Sequence, residues 1–176
     1  MCRAKASKTH KEQMKRLRAW VKKGKAWAQD FLAHRYLRGT LGLPQSYLMA
    51  AKLYGMAAKQ GDPSAMADLG VMYYFGQGVD QSYEKAVELY KMAANQGHAR
   101  AQFNLGLAHQ TGKGVDQSNA LAREWWAKTA AQGGEAGQRA IETLTKLDAL
   151  EGKSTPTTKS TTTRHCNTSR DSTGEL

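Results

Sequence analysis

The chain has 176 residues, 40% of them hydrophobic, enough to bury one core; no run of 18 apolar residues is present, so no membrane span is expected. The formal net charge of +11 is concentrated: residues 1–38 carry a net +10, residues 39–150 are balanced and residues 151–176 carry +1. An acidic partner, if there is one, is therefore to be sought at the N-terminal segment. No apolar stretch follows the basic N-terminus, so no secretory signal is read. Cys2 and Cys166 have no histidine cluster beside them, which argues against a zinc site and points to a reducing compartment, cytoplasmic or nuclear.

The first predicted helix covers 9–23. Met14, Leu17, Trp20 and Val21 share one face, and Lys15, Arg16, Arg18, Lys22 and Lys23 take the others. It reads as a basic capping helix; an arm for acidic surfaces or nucleic acid, or a membrane-surface helix, are the alternatives. Trp20 and Trp27 fall at core-compatible positions. Six helices follow, near 26–38, 46–60, 64–75, 82–96, 100–111 and 118–132. A last amphipathic helix over 136–150 carries Ala136, Ala140, Ile141, Leu144, Leu147 and Leu150. No strand is predicted. Residues 152–176 are rich in Ser and Thr and read as a disordered tail; Asn167-Thr168-Ser169 matches a glycosylation sequon by chance.

The six inner helices repeat as pairs. Gly61, Gly97 and Gly133 lie 36 residues apart, each after Gln60, Gln96 or Gln132. The run Gly76-Gln77-Gly78-Val79-Asp80-Gln81-Ser82 returns as Gly112-Lys113-Gly114-Val115-Asp116-Gln117-Ser118, and more loosely as Gly39 to Ser46. The units are 25–61, 62–97 and 98–133, between a basic N-terminal segment 1–24 and a capping helix 134–151. Ser46, Ser82 and Ser118 suit N-cap positions. Gly61, Gly97 and Gly133 suit helix terminators in the left-handed conformation. Gly70 and Gly106 let backbones approach, and Leu69, Tyr73, Tyr90 and Trp126 fill the space between units. One helix pair cannot bury its apolar face alone, so the pairs must stack.

Ala65, Leu69-Gly70, Tyr73, Gly76, Gly78-Val79, Tyr83, Lys85-Ala86 and Ala93-Ala94-Asn95-Gln96-Gly97 together resemble the Sel-one-like repeat (SLR), a relative of the tetratricopeptide repeat. The resemblance covers residues 25–133. It implies an all-α, right-handed α-solenoid of three helix–turn–helix repeats with N- and C-terminal capping helices, and a role as protein-interaction scaffold or adaptor. The outer units depart from the pattern at Ala33, His34, His109, Asn119 and Thr129. A second likeness joins Met1-Cys2-Arg3, the basic helix and the run Arg38 to Gln45. It looks like the junction in algal proteins, diatom ones among them, that link a zinc-binding RING finger to such repeats. There Cys2 would be the final zinc ligand. The likeness implies the substrate-binding part of a RING-type ubiquitin ligase. The other zinc ligands are absent from this chain, so ligase activity does not carry over.

No catalytic set is read from the sequence. The five histidines fall at unrelated repeat positions, and His98 reads as a loop residue. Gly76-Gln77-Gly78 lacks the Lys-Ser/Thr of a phosphate-binding loop and precedes no strand. No metal and no cofactor are expected, and the chain is not expected to be an enzyme. The expected partner is another protein or peptide. It would meet the first helices of the units, where Ala67, Val71, Tyr74 and Phe75 in the second, Phe103, Leu107 and Gln110 in the third, and Asp30, His34, Leu37 and Arg38 in the first point outward, with Lys22 and Lys23 orienting an acidic segment. Nucleic-acid binding through the basic helix is the competing reading.

Overall fold

The computed structural model describes the backbone from Cys2 to Gly152 and the side chains from Glu12 onward. The predictions for Met1, for the tail beyond Gly152, with its sequon, and for Cys166 lie outside the described residues. Within them are eight α-helices and no strand: α1 (Cys2–Lys22), α2 (Ala26–Arg38), α3 (Tyr47–Ala58), α4 (Pro63–Phe75), α5 (Tyr83–Asn95), α6 (Ala99–Thr111), α7 (Asn119–Gln132) and α8 (Gly134–Leu150). All eight predicted helices are present. α1 begins at Cys2 instead of near residue 9. Its first turns hold Ala4, Lys5, Ala6 and Lys8, good helix formers that lack the apolar periodicity the prediction relied on.

Consecutive helices pack in antiparallel pairs, α2 with α3, α4 with α5, α6 with α7, and the pairs stack into an α-solenoid. Ser46, Ser82 and Ser118 cap α3, α5 and α7, accepting from the backbone N–H of Met49, Lys85 and Leu121. The loop before each cap is closed twice. The serine N–H donates to the carbonyl of Tyr36, Tyr73 or His109 at 2.9, 3.0 and 2.8 Å. The preceding glutamine, Gln45, Gln81 or Gln117, donates through Nε2 to the carbonyl of Leu37, Tyr74 or Gln110 at 3.0, 2.8 and 2.8 Å. These glutamines thus bridge the two helices of a unit.

The two large rings pack differently from each other. Tyr90 lies against the first helix of its own pair and also reaches Asn104 of the next unit with its hydroxyl, whereas Trp126, expected between units, lies against the first helix of its own pair. A Cβ at Gly70 would come within 2.6 Å of the Tyr90 ring, and one at Gly106 within 2.5 Å of the Trp126 indole. The glycines are therefore notches for rings. The indole N–H of Trp126 donates to the Phe103 carbonyl at 3.0 Å, which satisfies it in the core. The first unit solves the same problem with Ala33 and Tyr54, both fully buried.

Between units, α3 packs on α4 and α5 on α6, and the loops add a further contact. A Cβ at Gly78 would lie 2.4 Å from the carbonyl carbon of Tyr47, and one at Gly114 the same distance from that of Tyr83. Each glycine thus lets its loop sit on the first turn of the second helix of the preceding unit. The loop of the first unit is one residue longer and holds two consecutive positive φ angles here, Leu41 at 61° and Gly42 at 66°. Gly133 does not match expectation, since its φ of 70° and ψ of −156° lie outside the left-handed helical region. It is an extended hinge between α7 and α8. On α8 the buried face is Gly137, Ala140 and Leu147, and Ile141 and Leu150 are exposed, because α8 leans on both α6 and α7 and only one stripe is covered. Arg123 of α7 holds the end of α8 by pairing with Asp148 and, at 2.8 Å, with Glu151.

Candidate functional site

The first helices α2, α4 and α6 and the start of α8 line one groove of about 900 Å³. Repetition with a period near 36 puts equivalent positions of successive first helices side by side. Ser64, Asp68, Val71 and Phe75 share one face of α4 by helical spacing, and Arg100, Asn104, Leu107 and Thr111 share the matching face of α6.

One stretch of this groove is polar. Arg100 forms an ion pair with Asp68 across α6 and α4. His34 Nδ1 lies 3.0 Å from the Tyr54 hydroxyl and 3.8 Å from Asp68 Oδ2. Burial, then the charges of Arg38, Arg100 and Arg35, hold the His34 pKa below its ordinary value, so its approach to Asp68 is a polar contact between a neutral ring and a carboxylate. Asp30 is the opposite case: burial, reinforced by Asp62 and opposed by Arg100, pushes its carboxyl up to about 6. Its Oδ1 is buried without a hydrogen-bond partner among the described residues. Arg35, Arg38 and Arg139 stand around this stretch, leaving it with more guanidinium than carboxylate. No nucleophile is paired with a base here. Among the described residues, no group of three or more His, Cys, Asp or Glu is placed to hold a metal ion.

The predicted partner-binding residues are not all equally placed. Phe75 is exposed, and Val71, Tyr74 and Leu107 are half-buried. The Tyr74 ring packs edge-on to Phe75 and to Tyr83, both at 5.0 Å, and Lys113 Nζ sits 5.1 Å over it. Phe103 and Ala67 are corrections, since both are buried. The Phe103 ring lies against Trp126 at 6.2 Å under the Arg139 guanidinium at 4.8 Å, and Ala67 is fully covered. Lys22 and Lys23 are exposed at the end of α1. Trp20 and Trp27, expected in the core, are exposed instead. His98, read as a loop residue, caps α6 by accepting the Ala101 N–H at Nδ1, 3.3 Å. Asp30 and His34 are among the residues expected to point outward, but their grouping with Asp68 and Arg100 is not legible in the sequence because the members come from three units. Their repeat positions, compared across units, were the signal available.

Stacked helix pairs along an open groove define an α-solenoid repeat protein. The Sel1 repeat profile matches residues 28–62, 63–98 and 99–134, and the chain belongs to that family. Sel1 repeat proteins are generally protein-interaction scaffolds and typically non-catalytic. Among solved structures, the chain is similar to a protective antigen present in uropathogenic Escherichia coli strains that displays an SLR fold. The identity is 34% and the TM-score 0.74, over 78% of this chain and 29% of that one. The chain thus spans less than a third of that protein's length. It is also similar to a Sel1 repeat protein from Oxalobacter formigenes, at 37% identity and TM-score 0.65, over 68% of this chain and 90% of that one. A likeness of fold alone links it to Helicobacter pylori cysteine rich protein B, at 19% identity and TM-score 0.55, over 70% and 92% of the two chains. No curated protein matches the chain. No helix among the described residues is long and apolar enough to cross a membrane.

Proposed function

We propose that this chain is an adaptor that holds a segment of another protein along its first-helix groove. The observation that supports this reading is the groove itself: about 900 Å³, open along its length and formed by three consecutive first helices and α8. Val71, Phe75 and Leu107 continue its faces toward the ends of α4 and α6 and offer apolar surface for a partner to cover. Lys22 and Lys23 would speed the approach of an acidic segment more than they would hold it.

Phe75 is 62% exposed, so its truncation removes contact surface with little cost to the fold. Phe75→Ala is expected to weaken partner binding by about 1–3 kcal/mol. Tyr74→Ala should do the same, with some loss of stability because its ring packs on Tyr83. The test is a pull-down with the Tyr74→Ala/Phe75→Ala double variant beside the wild type, with circular dichroism as the check on folding. Retention of every partner by a folded double variant would remove the first-helix face from consideration.

A further inference from the structure

The α1–α2 end of the solenoid carries a second surface that the groove does not explain. Trp20, Trp27 and Phe31 are 42%, 52% and 40% exposed, and the two indoles lie 5.1 Å apart. They border a cleft of about 490 Å³ whose floor includes Met14, Leu17 and Leu41.

The repeat register shows that folding does not call for these aromatics. Trp20 corresponds to Ala57, Ala93 and Thr129, all fully buried small residues. Trp27 corresponds to Ser64 and Arg100, and Phe31 to Asp68 and Asn104. At each position the inner units use a small or polar side chain and stack normally. The N-terminal end, Trp20 on α1 and Trp27 and Phe31 on α2, instead carries large rings there and leaves them partly in water, at a cost in hydration free energy. Leu41 adds to the difference. The matching loops of the inner units are drawn onto a neighbouring helix at Gly78 and Gly114, whereas the longer first loop lines the cleft with the Leu41 side chain.

The surroundings of the cleft are cationic. Glu12 is the one acidic residue among residues 1–29, and its pairing with Arg16 at 3.8 Å is largely exposed and therefore weak. Arg35 lies 4.3 Å over the Phe31 ring, held at the cleft edge. Lys15, Arg18, Lys22 and Lys23 are exposed on the same helix or just beyond it. An apolar cleft within a positive rim matches a chain with the reverse pattern.

We infer that this cleft docks a segment of another protein in which one or two large apolar side chains are flanked by aspartate or glutamate. The apolar anchors fill the space between the indoles and Leu41, and the carboxylates meet Arg16, Arg35 and the neighbouring lysines. A protein segment fits better than single-stranded nucleic acid: the indoles are inclined at 57°, so they do not present parallel stacking faces, and the Phe31 face is already covered by Arg35. The inference does not depend on the first-helix groove, although the two cavities share Phe31 and Arg35.

The test is selection of a random-peptide phage library on the full chain, followed by fluorescence anisotropy with an enriched peptide. The expected peptides combine Asp or Glu with Trp, Phe, Leu or Ile. Affinity should fall about tenfold or more in Trp20→Ser/Trp27→Ser and on replacing the peptide's acids by amides, and should be unchanged in Phe75→Ala. If the double serine variant melts early, Trp27→Ser alone serves instead, since the second unit carries Ser64 at that position. Failure to enrich acidic–apolar peptides, or enriched peptides that bind the folded tryptophan variants as tightly as wild type, would overturn the inference. Loss of binding in Phe75→Ala alone would move the peptide to the groove and also overturn it. A mixed-sequence RNA or phosphatidylserine vesicles binding more tightly than any peptide, in a way that needs both tryptophans, would reassign the cleft.

Discussion

Gly114→Ala, set against Gly97→Ala, isolates the contact that joins one repeat to the next. Both glycines have left-handed backbones, with φ of 74° and 83°, so alanine meets the same conformational penalty at each, about 1–2 kcal/mol. Alanine also reduces the freedom of the unfolded chain at both sites, an effect of about 0.4–1 kcal/mol in the opposite direction. The surroundings differ. Nothing lies within 4 Å of a Cβ at Gly97, whereas at Gly114 it would meet the Tyr83 carbonyl at 2.4 Å and the Glu84 nitrogen at 2.8 Å. Those are backbone atoms at the start of α5, and no rotamer change relieves the clash. The loop must lift off the helix, at an overpacking cost of about 1–3 kcal/mol more. Gly97→Ala should therefore lose roughly 1 kcal/mol and Gly114→Ala roughly 2–4 kcal/mol, read as urea unfolding midpoints by far-ultraviolet circular dichroism. Gly78→Ala should behave as Gly114→Ala does. Equal losses at Gly97 and Gly114 would refute the claim that the second glycine of the loop carries inter-unit packing.

Tyr90→Ala should cost about 3–5 kcal/mol, because it empties the notch at Gly70 and releases a fully packed ring, whereas the exposed Glu88→Ala should cost about 0.5 kcal/mol or less. Equal melting temperatures for the two variants would show that the buried face of α5 is misassigned. Asp30 supplies a pH test. Its carboxyl is held up to about 6 by burial and by Asp62, so the folded chain binds this proton more tightly than the unfolded chain, whose carboxyl titrates near 3.8. This group's contribution to stability is therefore most favourable below about pH 4 and declines as pH rises through about 6. Asp30→Asn should melt higher than wild type at neutral pH and lose that advantage near pH 4. A difference between the two proteins that is independent of pH would remove Asp30 from the buried, unpartnered role assigned to it.

What could be read from the sequence was what is local or repeated. The caps at Ser46, Ser82 and Ser118 depend on a serine and the three residues after it, so each was visible in its own segment, and the threefold copy confirmed the choice. The helices followed from apolar spacing in the same way. Tyr90 and Trp126 were recognised as core, but the partner of each ring was not, since a helix face says which side is covered and not by what. Only the structure sets Gly70 and Gly106 opposite those rings, inside the same unit, and adds Asn104 of the next unit as a partner of Tyr90. The same limit explains the tryptophans. The spacing of Met14, Leu17, Trp20 and Val21 predicts one apolar face on α1, and Met14 and Leu17 are indeed buried there. The face is wider than the cover that α2 provides, so Trp20 is left at its edge beside Trp27. The groove's polar cluster is a third case: Asp30, Asp68 and Arg100 are 38 and 32 residues apart, and no motif unites them. Comparing repeat positions recovers part of this, because Phe31, Asp68 and Asn104 are one position in three units. A repeat keeps constant what holds the stack together and varies what faces a ligand. By that reasoning, the positions where these units disagree most, Trp20, Trp27 and Phe31, are those where this solenoid's specificity for a partner should be sought.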